Sequence, residues 1–207
     1  MTIPSSWFRA ASDGDLEQID TAIIMGFGFE RTMNGEMSAG AANQFLLEHL
    51  INAYPNVETL FVQEGVWVGV CAQAALTCQV KRLDGEPIAL YRIDRHDDTV
   101  DLHTMDIAVC ALERMVQFNK REAILIAHDL QLWRAAENFS RAAPLTCPEC
   151  QILTGEVPDS PYPLQSEQLR TRYERLFMGA DLIARIRDRL QPGQIPRTCP
   201  MPMGNSQ

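Results

Sequence analysis

His128 and Asp129 stand side by side where an apolar run ends and a helical stretch begins, and Arg134 follows in the same helix. An imidazole beside a carboxylate can move protons near neutral pH, and a guanidinium fork can hold an anionic oxygen pair. The plain alternative makes Asp129 a helix N-cap, pairs Arg134 with Glu137 or Asp129, and leaves His128 filling a loop. Gly26-x-Gly28 closes a second apolar run and would let backbone N–H groups approach a phosphate or carboxylate. Phe29, Glu30 and Arg31 follow it in place of a helix start, so it is only a weak dinucleotide motif. A turn that needs positive φ explains the two glycines equally well.

Two further clusters have metal-like or redox-like composition. Asp94, Asp97, Asp98 and Asp101 with His96 and His103 lack the central glycine and terminal glutamate of a calcium loop, which favours a solvated loop. Cys147-Pro-Glu-Cys150 would need two more ligands to hold zinc, and only Cys199 offers a third. A redox dithiol wants its first cysteine at a helix N-terminus, whereas Gln151 onward reads as a strand. The pair is therefore expected as two reduced thiols before an edge strand, and no metal or cofactor is assigned. No G-x-S-x-G elbow is present.

The elements that must position these groups alternate along the chain. Short apolar runs at 22–25, 60–62, 88–91 and 123–126, with a weaker one at 151–153, are β-branched and non-alternating, as strands covered on both faces are. Between them lie helical patterns. One is capped by Ser38 and stopped by Pro55, with Ala42, Phe45, Leu46, Leu50 and Ala53 as its stripe. Another spans about 104–118, and a third carries Leu132, Ala135, Ala136 and Phe139 inward. Residues 66–80 alternate at first but favour a helix from Gly69, residues 30–37 read as a polar loop, and 157–163 as a proline-rich turn. A last helix is expected over 166–190, its stripe of Leu169, Tyr173, Leu176, Phe177, Ala180, Ile183 and Leu190 packing on its own sheet. This order predicts an α/β, three-layer Rossmann-like sandwich with a mainly parallel central sheet. Residues 17–190 form one domain, 1–16 an N-terminal tail and 191–207 a poorly ordered, proline-rich tail.

Eighteen basic against 27 acidic residues leave a net charge of −9 in 207 residues, which argues against a general nucleic-acid or anionic-membrane binder. No run approaches the ~18–20 apolar residues of a membrane span, and residues 1–15 have no secretory pattern, so a cytoplasmic protein is expected. Six cysteines, three of them (Cys71, Cys78, Cys110) in apolar helical patterns, fit reduced thiols.

Four stretches together resemble the YdcF/SanA/ElyC-like family (domain of unknown function 218). These are Asp20–Gly28 as an opening strand and glycine turn, Thr104-Met-Asp106 before a helix, Ile126–Ala135 with its Arg134-Ala135 pair, and Pro161-Tyr162 with Ser166, Gln168, Thr171 and Arg172. The chain departs from the family at Gln63-Glu64, where Ser-Gly is usual, at Gln131, where a His is usual, and at Ile107, where an Asn is common. The resemblance implies a shared polar pocket whose acid/base member is absent unless His128 substitutes for it.

In open parallel sheets ligands sit at the strand carboxyl ends. The expected site therefore takes a small anionic or nucleotide-like ligand, of phosphorylated or S-adenosyl type. Gly26 and Gly28 offer backbone donors, Glu64 and Asp106 take hydroxyls, and Arg134 with Arg172 hold negative charge, with Phe27, Gly65, Thr104 and Gln131 as further ligand-binding positions. His128 and Asp129 would add proton transfer of hydrolase or transferase type. The alternative is a catalytically silent regulatory or interaction module. Oligomeric state is not legible.

Overall fold

The computed structural model describes residues 8–10, 18–31, 33–63, 66–67, 80–93, 104–155, 161–162, 164, 166, 171 and 173–190. In chain order these form β1 (Phe8–Ala10), β2 (Thr21–Ile24), β3 (Glu30–Arg31), β4 (Met37–Ser38), α1 (Gly40–Ala53), β5 (Thr59–Gln63), β6 (Ala89–Ile93), α2 (Thr104–Gln117), β7 (Glu122–Ile126), α3 (Asp129–Thr146), β8 (Gln151–Thr154) and α4 (Glu174–Leu190). Six strands make one sheet in the order β1-β8-β7-β2-β5-β6, every pairing parallel. The fold is the α/β, Rossmann-like three-layer sandwich that the alternation of runs and helices predicts.

The layers follow from the two-residue period of a strand. Ile23 and Met25 face one side with Ala108, Leu112 and Met115 of α2 and Ala135 and Phe139 of α3. Ala22 and Ile24 face the other side with Leu46, Leu47 and Leu50 of α1. Both faces of β2 are thus buried, which is why its sequence is continuously apolar. Burying the Ile, Leu, Met and Phe side chains among these contributes ~1.5–3 kcal/mol each, opposed by the entropy of ordering the chain.

Several expectations change. Phe8–Ala10 lies inside the expected N-terminal tail, yet it pairs with β8 in register Phe8↔Ile152 and closes that edge of the sheet. The expected polar loop at 30–37 contains the small antiparallel pair β3–β4, with Gly35 at φ 80° in its turn. That pairing draws Ser38 into β4, so Ala39 takes the N-cap position of α1. The buried face of α1 includes Asn43 and Leu47, while Ala53 is exposed. His128, with φ −52° and ψ 139°, takes the N-cap position of α3, which makes Asp129 the first helical residue.

The last helix differs most from expectation. It begins at Glu174, and Ser166 stays outside it, because the Ser166 hydroxyl accepts from Phe29 N at 3.3 Å and from the Thr171 hydroxyl at 2.9 Å. α4 packs on α3, and of the expected stripe Phe177 is buried while Tyr173, Leu176 and Ile183 are exposed; the side chains of Leu169 and Leu190 lie outside the described residues. Cys147 and Cys150 are joined in a buried disulfide, Cα atoms 5.3 Å apart, where two reduced thiols were expected. A cysteine pair three residues apart in the turn after α3 has the Cα spacing that such a bond requires. The Asp94–His103 loop, most of 66–80, most of the 157–163 turn, Cys199 and the 191–207 tail lie outside the described residues. None of the described helices is long and apolar enough to cross a membrane.

Candidate functional site

From β2 the chain moves outward to β5 and β6, then returns across the sheet to β7 on the other side of β2. The reversal places the carboxyl ends of β2 and β7 side by side with α1 and α3 leaving on opposite faces. A parallel sheet opens a crevice at such a switch point. The residues met there are Met25–Phe29 after β2 and Ala127–His128 after β7, linked by Met25 N donating to Ile126 O at 2.9 Å.

The glycine turn is held from within. Gly26 N donates to Gln63 Oε1 at 2.9 Å, and Phe27 N donates to Asn43 Oδ1 at 2.7 Å. Asn43 Nδ2 in turn donates to Gly28 O at 2.9 Å and to Ala39 O at 2.7 Å. One buried amide therefore ties the turn to the first turn of α1. Gly28 sits at φ 70°, a conformation that costs a residue with a Cβ about 1–2 kcal/mol. The Gly26 N–H, expected as a ligand donor, is occupied by Gln63, and that of Phe27 by Asn43. Among the described residues nothing accepts from Gly28 N.

The Phe27 ring then fills the crevice. It is 1% exposed and stacks on the fully buried His128 ring, centroids 3.7 Å apart and planes inclined by 17°. Tyr162 meets His128 edge-on at 5.2 Å, and Phe177 of α4 lies 4.9 Å from Phe27. His128 Nδ1 is 2.6 Å from Asp129 Oδ1 and 3.4 Å from Leu130 N, so carboxylate and amide compete for it. The shorter, charge-assisted contact dominates and favours the proton on Nδ1. That leaves Nε2 as the unprotonated ring nitrogen.

Arg134, expected to hold a ligand's charge, meets a carboxylate of its own chain: Nη1 lies 3.1 Å from Asp181 Oδ1 of α4, and the guanidinium sits 5.7 Å from the Phe177 ring centre. Both side chains are largely buried. Gln131 is different. It is 6% exposed, one turn before Ala135 on the buried side of α3, and its Oε1 has no hydrogen-bond partner among the described residues. A buried acceptor left unmet costs about 1–3 kcal/mol.

Of the other expected site residues, Thr104 and Asp106 are half-buried in the first turn of α2, at the same end of the sheet but not among the contacts of His128 described above. Glu64, Gly65 and Arg172 lie outside the described residues. Asn43 and Asp181 were not singled out from sequence. Each had a signal: Asn43 falls on the stripe of Leu46, Leu47 and Leu50, and Asp181 lies one turn beyond Phe177 on the inward face of α4. A polar residue on a buried face needs partners, and these two have them.

Elsewhere, a shallow groove of about 450 Å³ lies at the amino ends of β5 and β6. Its cation, Arg82, is neutralised by Glu58 at 3.3 Å and Asp84 at 2.9 Å. Among the described residues no group of three His, Cys, Asp or Glu side chains is placed to hold a metal. No protein-family model matches the chain, and no curated protein or solved structure matches it.

Proposed function

We propose that the crevice between the carboxyl ends of β2 and β7 binds a small anionic or nucleotide-like ligand, of phosphorylated or S-adenosyl type. The observation that carries this reading is Gln131: a buried amide oxygen that meets no partner among the described residues, at the N-terminus of an 18-residue helix on a topological switch point. A ligand hydroxyl or amine would satisfy it, and the α3 N-terminus favours negative charge beside it. Gln131 stands where YdcF-like chains usually carry a His, a departure that leaves proton transfer to His128. His128, oriented by Asp129, is the group that would transfer a proton to or from such a ligand, giving hydrolase or transferase chemistry.

The test is thermal unfolding of the wild type and Gln131→Leu with nucleotides, sugar nucleotides and S-adenosyl compounds. A true ligand at about 100 times its dissociation constant adds about 2.7 kcal/mol to the wild type. Gln131→Leu removes the unmet acceptor, so the unliganded variant gains about 1 kcal/mol and loses the ligand response. A panel that stabilises neither protein, or a ligand that stabilises both equally, would refute the reading.

The arrangement around Arg134 favours a second reading, a catalytically silent interaction module. The guanidinium is already paired with Asp181, the Gly26 and Phe27 amides are taken by side chains, and His128 is wholly buried. Complete absence of ligand stabilisation together with a partner-dependent phenotype would support it.

A further inference from the structure

Helix α4 is apolar on two opposite sides. Phe177 and Asp181 turn inward to Phe27 and Arg134, while Leu176, Met178, Leu182, Ile183 and Ile186 are each more than half exposed, Ile183 at 70%. A run of exposed apolar side chains on the face away from the core marks an interaction surface. Positions 176, 179, 183 and 186 follow the three-four-three spacing of a coiled-coil seam. At the middle of this seam is Gly179, where an added Cβ would meet nothing within 4 Å.

We propose that this face is the interface of a two-fold dimer in which the α4 helices of two copies of the chain run antiparallel. Two features select a second copy in that orientation. The first is shape. With the axis level with Asp181, Ile183 of one copy lies opposite Gly179 of the other, and Leu176 opposite Ile186, so the most exposed apolar side chain of this face meets the open space over the glycine.

The second is charge. The helix sequence carries four arginines against three acids in a chain of net −9, and three of the four fall in 185–189. A parallel pair would set these basic segments against one another. The antiparallel pair moves their centres about 18 Å apart along the axis at 1.5 Å per residue, beyond the ~8–10 Å screening length of physiological salt. The interface is isologous, so it closes at two copies. It is independent of what the crevice binds, because the face lies on the outer side of α4.

Sedimentation equilibrium of the full chain tests it. The wild type is expected to dimerise at micromolar concentration. Ile183→Glu should weaken the dimer by about a hundredfold or more. Gly179→Gln improves helix propensity and meets open space in the monomer, so it should fold at least as well as the wild type and still lose the dimer. Spin labels at Tyr173→Cys should lie about 24 Å apart along the paired helices, against ~10 Å for a parallel pair.

A wild type that stays monomeric through the micromolar range overturns the proposal. So does a dimer that survives both Ile183→Glu and Gly179→Gln, or one with the short label distance. So does a monomer that binds phosphatidylserine vesicles through Ile183, since that would make a lipid surface the occupant of the face.

Discussion

The two ends of the sheet use the same charged residue types in opposite ways. At the carboxyl ends, Arg134 and Asp181 are largely removed from water, and Asn43 spends all three of its hydrogen bonds on backbone. At the amino ends, Lys120 pairs with Asp20 at 2.6 Å, Arg82 with Glu58 and Asp84, and Arg121 with Glu149, all at or near the surface. Water screens the second set and is excluded from the first. The difference teaches that a pair's identity says little until its burial is known. The amino-end pairs decorate loops, and the carboxyl-end pair fastens α4 over the crevice.

Removing one partner of the buried pair should have the largest effect. Arg134→Ala leaves Asp181 charged and half-stranded, and chemical denaturation should show a loss of about 3 kcal/mol. Replacing both, as Arg134→Met with Asp181→Leu, should recover most of it. A single substitution that costs nothing would mean that the pair resembles those at the amino end.

Next in size is Asn43→Ala, which strands Phe27 N and two carbonyls, for a loss of about 2–3 kcal/mol. It should also expose the glycine turn to hydrogen exchange at Phe27, and unchanged protection there would show that Gly28 holds the turn unaided.

The smallest effect belongs to Asp20. Burial raises its pKa, but hydrogen bonds from Lys120 and Thr21 and the Lys120 charge outweigh that and leave the carboxyl below its ordinary value. A group with a depressed folded pKa contributes stability above its unfolded value of about 3.9 and loses it as the pH falls through the folded value. Asp20→Asn should therefore cost only a few tenths of a kcal/mol at neutral pH, after screening. The gap should close below about pH 4. A gap that widens in acid would reverse the sign assigned to this pair.

Much of the fold was legible because its signals are local. Runs such as Ala22–Met25 and Ala123–Ile126 are apolar on both faces since each is covered twice, and the intervening stripes have the period of the helices they form. Phe8–Ala10 was not legible: three residues become a strand only when β8 offers them an edge. Ser166 escaped for a related reason, as its partner, Phe29 N, is 137 residues away in sequence. Around the crevice the residue types His128, Asp129, Gln131 and Arg134 were visible in the chain, while their partners were not.

From its sequence alone this protein is committed to a strand–helix alternation, and so to a parallel sheet with groups of chemical interest at its carboxyl ends. Propensity and periodicity act over a few residues and need no other part of the chain. Tertiary structure alone decided that Phe27 covers His128, that Asp181 neutralises Arg134, that Asn43 and Gln63 occupy the glycine-turn amides, and that Gln131 keeps an unmet oxygen. Each of those outcomes depends on which distant segment excludes water from a polar group, and burial of that kind is a property of the assembled layers.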